Sequence, residues 1–253
     1  MSTSACYPSL KGKHVLITGG GSGIGSAIVE AFARQDAIVS FLDIAVTESQ
    51  TLIDTLATNG LSATFVPCDI TDLAALSGAL RTAVQSHGPI EILVNNAGND
   101  DRHALDAVTP AYWDDRINVN LRHHLFSAQA VAPAMRTAGR GVILNLGSIS
   151  WHLGLNDLVV YETAKAGVEG MTRALARDLG PSGIRVACIN PGSVKTPRQT
   201  KWVSPTFEAE IVAAQCLKGR IEPRDVASLA LFLASDDARF CTGHEYWIDA
   251  GWR

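Results

Sequence analysis

Short apolar runs alternate with longer stretches of helical periodicity along this whole chain, and few architectures accept that order. Strands are expected at 14–17, 37–42, 63–66, 91–94, 142–146, 184–189 and 245–248. Helices are expected at 24–35, 47–58, 73–86, 110–137, 158–179 and 224–234. The strand runs are apolar and partly β-branched without a polar face, as strands covered on both sides must be. Strand and helix taking turns over 253 residues predicts one α/β domain, a doubly wound parallel sheet of about seven strands spanning 1–253. Such a sheet places its chemistry at the carboxyl ends of the strands.

At the first of those ends stands Thr18-Gly19-Gly20-Gly21-Ser22-Gly23-Ile24-Gly25. Between a strand and a helix, glycines at 19, 23 and 25 permit a tight turn and close approach of a pyrophosphate to backbone N–H groups. The anion would then sit on the helix N-terminus, in a Rossmann-like site. The Gly-x-x-x-Gly-x-Gly spacing departs from the Gly-x-Gly-x-x-Gly pattern, so this loop alone leaves a flexible turn open. Asp43 ends the second strand, 18 residues after Gly25, where a carboxylate accepts from ribose hydroxyls and repels a 2′-phosphate. No Lys or Arg lies in the loop or within three residues of Asp43, so NAD is expected over NADP. Thr47 is the better-placed cap for the helix that follows.

Tyr161 and Lys165 stand four apart in an expected helix and so share a face. A phenol near pKa 10 is protonated at neutral pH, and a neighbouring ammonium favours the phenolate. Alone, the pair is also what an amphipathic helix carries by chance.

Net charge and cysteines narrow the remaining classes. A charge of −4 gives no electrostatic footprint for nucleic acid or an anionic membrane. Cys6, Cys68, Cys188, Cys216 and Cys241 lack Cys-x-x-Cys spacing and read as reduced thiols in a cytoplasm. Residues 1–10 lack a signal-peptide core, and the apolar stretch 226–234 is too short to span a bilayer. Asp100 and Asp101 without further spaced ligands read as a solvated turn, and no metal is expected.

Taken together, Thr18 to Gly25, Asp69, Asn95-Asn96-Ala97-Gly98, Asn120, Ser148, Tyr161, Lys165 and Pro191-Gly192 resemble the short-chain dehydrogenase/reductase family over essentially the whole chain, including the 13 residues between Ser148 and Tyr161. The resemblance implies Asn120, Ser148, Tyr161 and Lys165 as the catalytic set. It implies a cofactor site of Gly19, Ser22, Gly23, Ile24, Gly25, Asp43, Ile44, Asp69, Ile70, Asn96, Ala97 and Gly98, completed by Tyr161, Lys165, Pro191, Gly192, Val194 and Thr196. Chemistry agrees: Tyr161 would take the proton of a substrate hydroxyl, Lys165 would lower its pKa, Ser148 would position the oxygen, and Asn120 would hold a water for proton exit. Asp69 is suited to the adenine or to a cap near Thr71, and the two uses need not exclude each other. Asn95 reads as a bridge between strands.

Residues 96–103, 147–152 and 242–253 are similar to bacterial aldose 1-dehydrogenases acting on pentoses such as D-xylose or L-arabinose. The implied reaction oxidises the anomeric C1–OH of the cyclic sugar to the aldonolactone; the alternative is a ketone or 3-oxoacyl reductase on the same scaffold. A desolvated sugar needs polar partners and an aromatic wall, and Asn99, Ser148, Ser150, His152, Tyr161 and Trp202 are its candidate contacts. For these too there are packing alternatives: His152 on a neighbouring backbone group, Trp202 holding down a lid at 193–217. A homotetramer is expected by resemblance, with Trp247 and Trp252 at a subunit contact.

Overall fold

The computed structural model describes residues 5–201 and 203–252. Its strands are β1 (His14–Thr18), β2 (Ile38–Asp43), β3 (Thr64–Pro67), β4 (Ile92–Asn95), β5 (Gly141–Leu146), β6 (Ile184–Pro191) and β7 (Glu245–Ile248). All pair in parallel in one sheet of order β3-β2-β1-β4-β5-β6-β7. The helices are α1 (Gly23–Ala33), α2 (Val46–Thr58), α3 (Leu73–His87), α4 (Pro110–Ile117), α5 (His123–Ala138), α6 (Ser150–Leu153), α7 (Val159–Leu179), α8 (Pro205–Ala214) and α9 (Pro223–Ala234).

Successive strand residues feed two cores. Val15, Ile17, Phe41 and Leu144 join Ile28, Phe32, Val226 and Ala230 of α1 and α9 on one face. Leu16, Leu42, Leu93 and Ile143 join Leu76, Leu80, Val131 and Met135 of α3 and α5 on the other. Period-two alternation between two apolar layers explains why the strands show no polar stripe. Each of these side chains larger than alanine contributes roughly 1.5–3 kcal/mol by leaving water.

Two buried asparagines in this core pair with each other across the sheet. Asn95 and Asn145 are register partners on β4 and β5, and Asn95 Nδ2 donates to Asn145 Oδ1 at 2.9 Å. Asn145 Nδ2 donates to Thr172 Oγ1 on α7 at 3.0 Å. The bridging role read from Asn95 is thus observed, and through Asn145 it reaches the helix that carries Tyr161 and Lys165.

Two expectations are corrected. The helix expected over 110–137 is broken by a π-helical turn, Asn118–Arg122, between α4 and α5. Asn120 Nδ2 donates to the Arg116 carbonyl at 2.9 Å, the acceptor that an α-helical N–H four residues on would use. Thr47 is not the cap of α2: the helix starts at Val46, and its first turn is approached by Asp43 Oδ1, which accepts from Ala45 N at 2.8 Å.

Replacing Asn145 by Ala would leave the buried Asn95 amide only its 3.4 Å contact to the His124 carbonyl and remove a partner of Thr172. A loss of about 1–3 kcal/mol is expected, read as a lower urea midpoint with unchanged m-value; an unchanged midpoint would deny the network its structural role.

Candidate active site

The sheet order reverses between β1 and β4, and there the two strand ends part. Asn96 spans the split, its Nδ2 donating to the carbonyls of Thr18 and Gly19 at 3.0 and 2.8 Å. Thr18 Oγ1 returns the contact, accepting from the Asn96 and Ala97 N–H groups at 3.0 and 3.1 Å. Gly19 has φ +66, and a Cβ at Gly25 would lie 1.8 Å from the Gly19 carbonyl oxygen, so the loop and the start of α1 close together only without a side chain there. Ser22 precedes α1 without a side-chain cap, which leaves the helix's first N–H groups available to an anion. Asp43 is fixed beside this cradle, with Oδ2 accepting from Gly21 N at 2.7 Å. Asp69 closes the turn before α3, Oδ1 accepting from Thr71 N and Oγ1 at 2.9 and 2.7 Å, whereas Asp72 caps the helix itself.

At the other end of the same cleft, α7 presents Tyr161 and, one turn on, the buried Lys165. Lys165 Nζ lies 5.6 Å from the Tyr161 ring centroid and donates to the Leu146 carbonyl at 2.7 Å. Ser148, just past β5, is hydrogen-bonded to the Tyr161 phenol, and its Oγ accepts from Ser150 N at 3.1 Å. Asn120 stands behind these groups. Its Oδ1 accepts from Asn99 N at 2.7 Å and its Nδ2 donates to Asn99 O at 3.0 Å. A Cβ at Gly98 would come within 3.2 Å of Asn120 Oδ1 and 3.5 Å of Lys165 Nζ, so the missing side chain keeps the space between them.

With this geometry in view, the family model described as enoyl-(acyl carrier protein) reductase matches residues 19–253. The D-xylose 1-dehydrogenase of Caulobacter vibrioides (strain NA1000 / CB15N) is 63% identical over 251 residues, 99% of this chain and 100% of that protein. The chain belongs to the short-chain dehydrogenase/reductase family. A second relative, "Probable galactose dehydrogenase GalD" of Rhizobium meliloti (strain 1021), is 44% identical over 98% of each chain. Among solved structures, a 7α-hydroxysteroid dehydrogenase complexed with NADH and 7-oxo glycochenodeoxycholic acid superposes with TM-score 0.93 at 31% identity, covering 97% of this chain and 96% of that one.

In this family member the cleft measures about 660 Å³ and is lined by every residue expected to hold the cofactor, from Gly19 to Thr196, together with Asn99, Ser148 and Ser150. His152 does not line it: its Nε2 donates to Glu169 at 2.9 Å, and its ring packs on Trp151 and Trp247. The expectation of His152 at the rim misjudged a four-residue helix, α6, that turns the side chain away from the opening. Trp252, expected at a subunit contact, lines the cleft, and Trp202 lies outside the described residues. Arg102, Leu155, Leu158 and Phe207 also line it and were not singled out; the length of the Ser148–Tyr161 interval was the signal for the two leucines. Among the described residues, no group of three or more His, Cys, Asp or Glu side chains is placed to hold a metal.

Burial dominates the electrostatics. It pushes the Lys165 ammonium down to about 8, against the opposing pull of Cys188 and Asp100. It pushes the Tyr161 phenol up, with Asp100 adding to the effect and the Ser148 hydrogen bond and Arg198 opposing it. Lys165 therefore loses its proton more readily than Tyr161, the reverse of what their spacing suggests.

For Lys165 the folded pKa lies below the ordinary value of 10.5, so the unfolded chain binds the extra proton between about 8 and 10.5. Stability should rise with pH through that window by up to about 3 kcal/mol. Urea unfolding of wild type against Lys165→Met across pH 7 to 11 isolates this contribution; parallel curves would refute the burial of a charged lysine.

Proposed function

We propose that this protein is an aldose 1-dehydrogenase that transfers a hydride from the anomeric C1 of a cyclic pentose, such as D-xylose or L-arabinose, to NAD, giving the aldonolactone. The observation that carries the reading is 63% identity along the whole chain to D-xylose 1-dehydrogenase, in a protein whose cleft joins a glycine cradle to Ser148 and Tyr161. The residues present fit a nicotinamide dinucleotide. The Gly19–Gly25 contact admits no Cβ, α1 opens without a side-chain cap, and Asp43 offers its carboxylate at the end of β2. Backbone around Ser22, Gly23 and Ile24 would hold the pyrophosphate, Asp43 the adenosine ribose, Asp69 and Ile70 the adenine, and Lys165 the nicotinamide ribose. Asp43 stands without a lysine or arginine in residues 40–46, which favours NAD over its 2′-phosphorylated form.

When bound, nicotinamide accepts the hydride and brings a positive charge beside Tyr161. Tyr161 takes the proton of the C1 hydroxyl. Ser148, whose oxygen already accepts from Ser150 N, turns its own hydrogen toward the reacting oxygen. The space that Gly98 leaves between Lys165 and Asn120 supports a water-linked exit for that proton. Asn99 and Ser150 are the polar contacts for the sugar, and the Ser150 hydroxyl is buried in the cleft wall without a partner that a sugar hydroxyl would supply. Residues 193–217 form a lid over the sugar, where Phe207 faces the cleft with Trp252. Exposed Trp113, Leu125 and Val159 on α4, α5 and α7 support assembly into a homotetramer, in a cytoplasmic protein that has, among its described residues, no helix long and apolar enough to cross a membrane.

NADH absorbance followed while D-xylose, L-arabinose, D-galactose and a 3-oxoacyl thioester are offered with each nicotinamide cofactor tests the reading. NAD reduction by a pentose is expected, and no reduction by any sugar would sink it. Tyr161→Phe should lower kcat by about 10²–10⁴-fold while NADH binding, followed by fluorescence, changes little; full turnover would remove Tyr161 as the base.

A further inference from the structure

One ion pair crosses the mouth of the cleft. Arg198 Nε donates to Asp100 Oδ1 at 3.0 Å, and Arg198 Nη2 donates to Asn99 Oδ1. Asp100 belongs to the loop after β4, whereas Arg198 belongs to the segment after β6, and both line the cleft with Tyr161. The root of that segment is secured separately: Gln199 Nε2 donates to Ser193 Oγ at 2.6 Å, and Arg220 donates to Gln199 Oε1 and, at 3.1 Å, to Glu208 Oε1. Arg198 is thus the side chain through which a segment anchored at its base reaches the opposite wall.

The groups acting on the Tyr161 phenol come from every element around it. Asp100 and, more weakly, Glu162 of its own helix favour the neutral phenol; Arg198 and the Ser148 hydroxyl favour the phenolate. Glu162 is already committed to Leu155 N, at 2.8 Å, and Lys165 sits under the ring. Asp100 and Arg198 are the pair of opposite sign, and each is paired with the other.

We infer that Asp100 and Arg198 form a positioning pair: Arg198 seated on Asn99 and Asp100 fixes the segment after β6 across the mouth of the cleft that Tyr161 lines, so that docking of the segment and readiness of Tyr161 to take the sugar's proton are one event. The inference rests on the reading of Tyr161 as base. Asp100 is the switch element, because without its carboxylate Arg198 loses the ion pair that seats it beside Tyr161 and keeps only the Asn99 amide oxygen. A guanidinium suits the task, since its two arms reach a carboxylate and an amide oxygen together, which a lysine cannot do.

Amide hydrogen exchange of residues 196–201 in the sugar-free protein reads the docking, so it stands whether or not any sugar is oxidised. Faster exchange in Arg198→Gln and in Asp100→Asn is expected; unchanged exchange in both overturns the inference. The pH profile of kcat then reads the coupling. Arg198→Gln should move the acid limb to higher pH by about one unit, an approximately tenfold loss of rate below the inflection. Asp100→Asn should move it to lower pH, and adding Arg198→Gln to Asp100→Asn should produce almost no further shift. Arg198→Lys should recover part of the wild-type profile. An equal shift from Arg198→Gln with and without Asp100 overturns the coupling, and a fall in kcat with no shift at all assigns Arg198 to sugar contact alone.

Discussion

The bonds from the Asn96 amide to the carbonyls of Thr18 and Gly19 hold together everything chemical in this molecule. A parallel sheet buried on both faces leaves its functional groups nowhere to go but the strand ends, and at the switch point two of those ends must separate to make room. Separation exposes carbonyls that the sheet no longer pairs, and Asn96 takes two of them. One consequence runs forward into the glycine turn and the start of α1. The other runs along the chain through Gly98 to Asn99, whose backbone N–H and carbonyl are both held by Asn120. Because Asn120 also takes the Arg116 carbonyl, the same chain of bonds reaches the π-helical turn that interrupts α4 and α5.

Burial sets the second constraint. The sheet end that holds Lys165 and Tyr161 excludes water well enough to disfavour charge on both, lowering one pKa and raising the other. Burial holds the Tyr161 phenol protonated while Lys165, lowered to about 8, still carries most of its charge at neutral pH, so a base is made by adding positive charge rather than by the lysine acting alone. A dinucleotide seated on the glycine cradle and the uncapped start of α1 would supply that charge to Tyr161 from the other end of the same cleft.

Much of this was legible in the residues because it depends on periodicity and on local backbone geometry. Strand positions, the glycine turn, Asp43 at its strand end, the Asn95 bridge and the one-turn spacing of Tyr161 and Lys165 all follow from rules that act within a few residues. What escaped depends on long-range placement. The apolar pattern continues through Asn118–Arg122, so nothing local announced that a side chain would displace a backbone hydrogen bond there. Thr47 has a capping hydroxyl, but Asp43 reaches Ala45 first. His152 leaves the cleft because a short helix turns it toward Glu169, and Trp252, far from the glycine turn in sequence, joins the cleft lining.

The two sides of the cleft are also held by different physics. Behind Ser148, the Glu169 carboxylate of α7 accepts from Trp151 Nε1 and His152 Nε2, both at 2.9 Å, and from Asn190 Nδ2 on β6. A buried carboxylate with three donors resists displacement, since freeing any of them would leave a polar group unpaired away from water. The segment following Ser148 is therefore tied to the same helix that supplies Tyr161 and Lys165, two turns from the phenol. Across the cleft, Arg198 and Asp100 meet at side chains that are 50% and 40% exposed, where an ion pair is worth little in stability and is screened by salt. Ser148, Tyr161 and Lys165 stand on buried bonds and the segment carrying Arg198 on a solvated one, so this fold fixes one side of the cleft while leaving the contact across its mouth inexpensive to break.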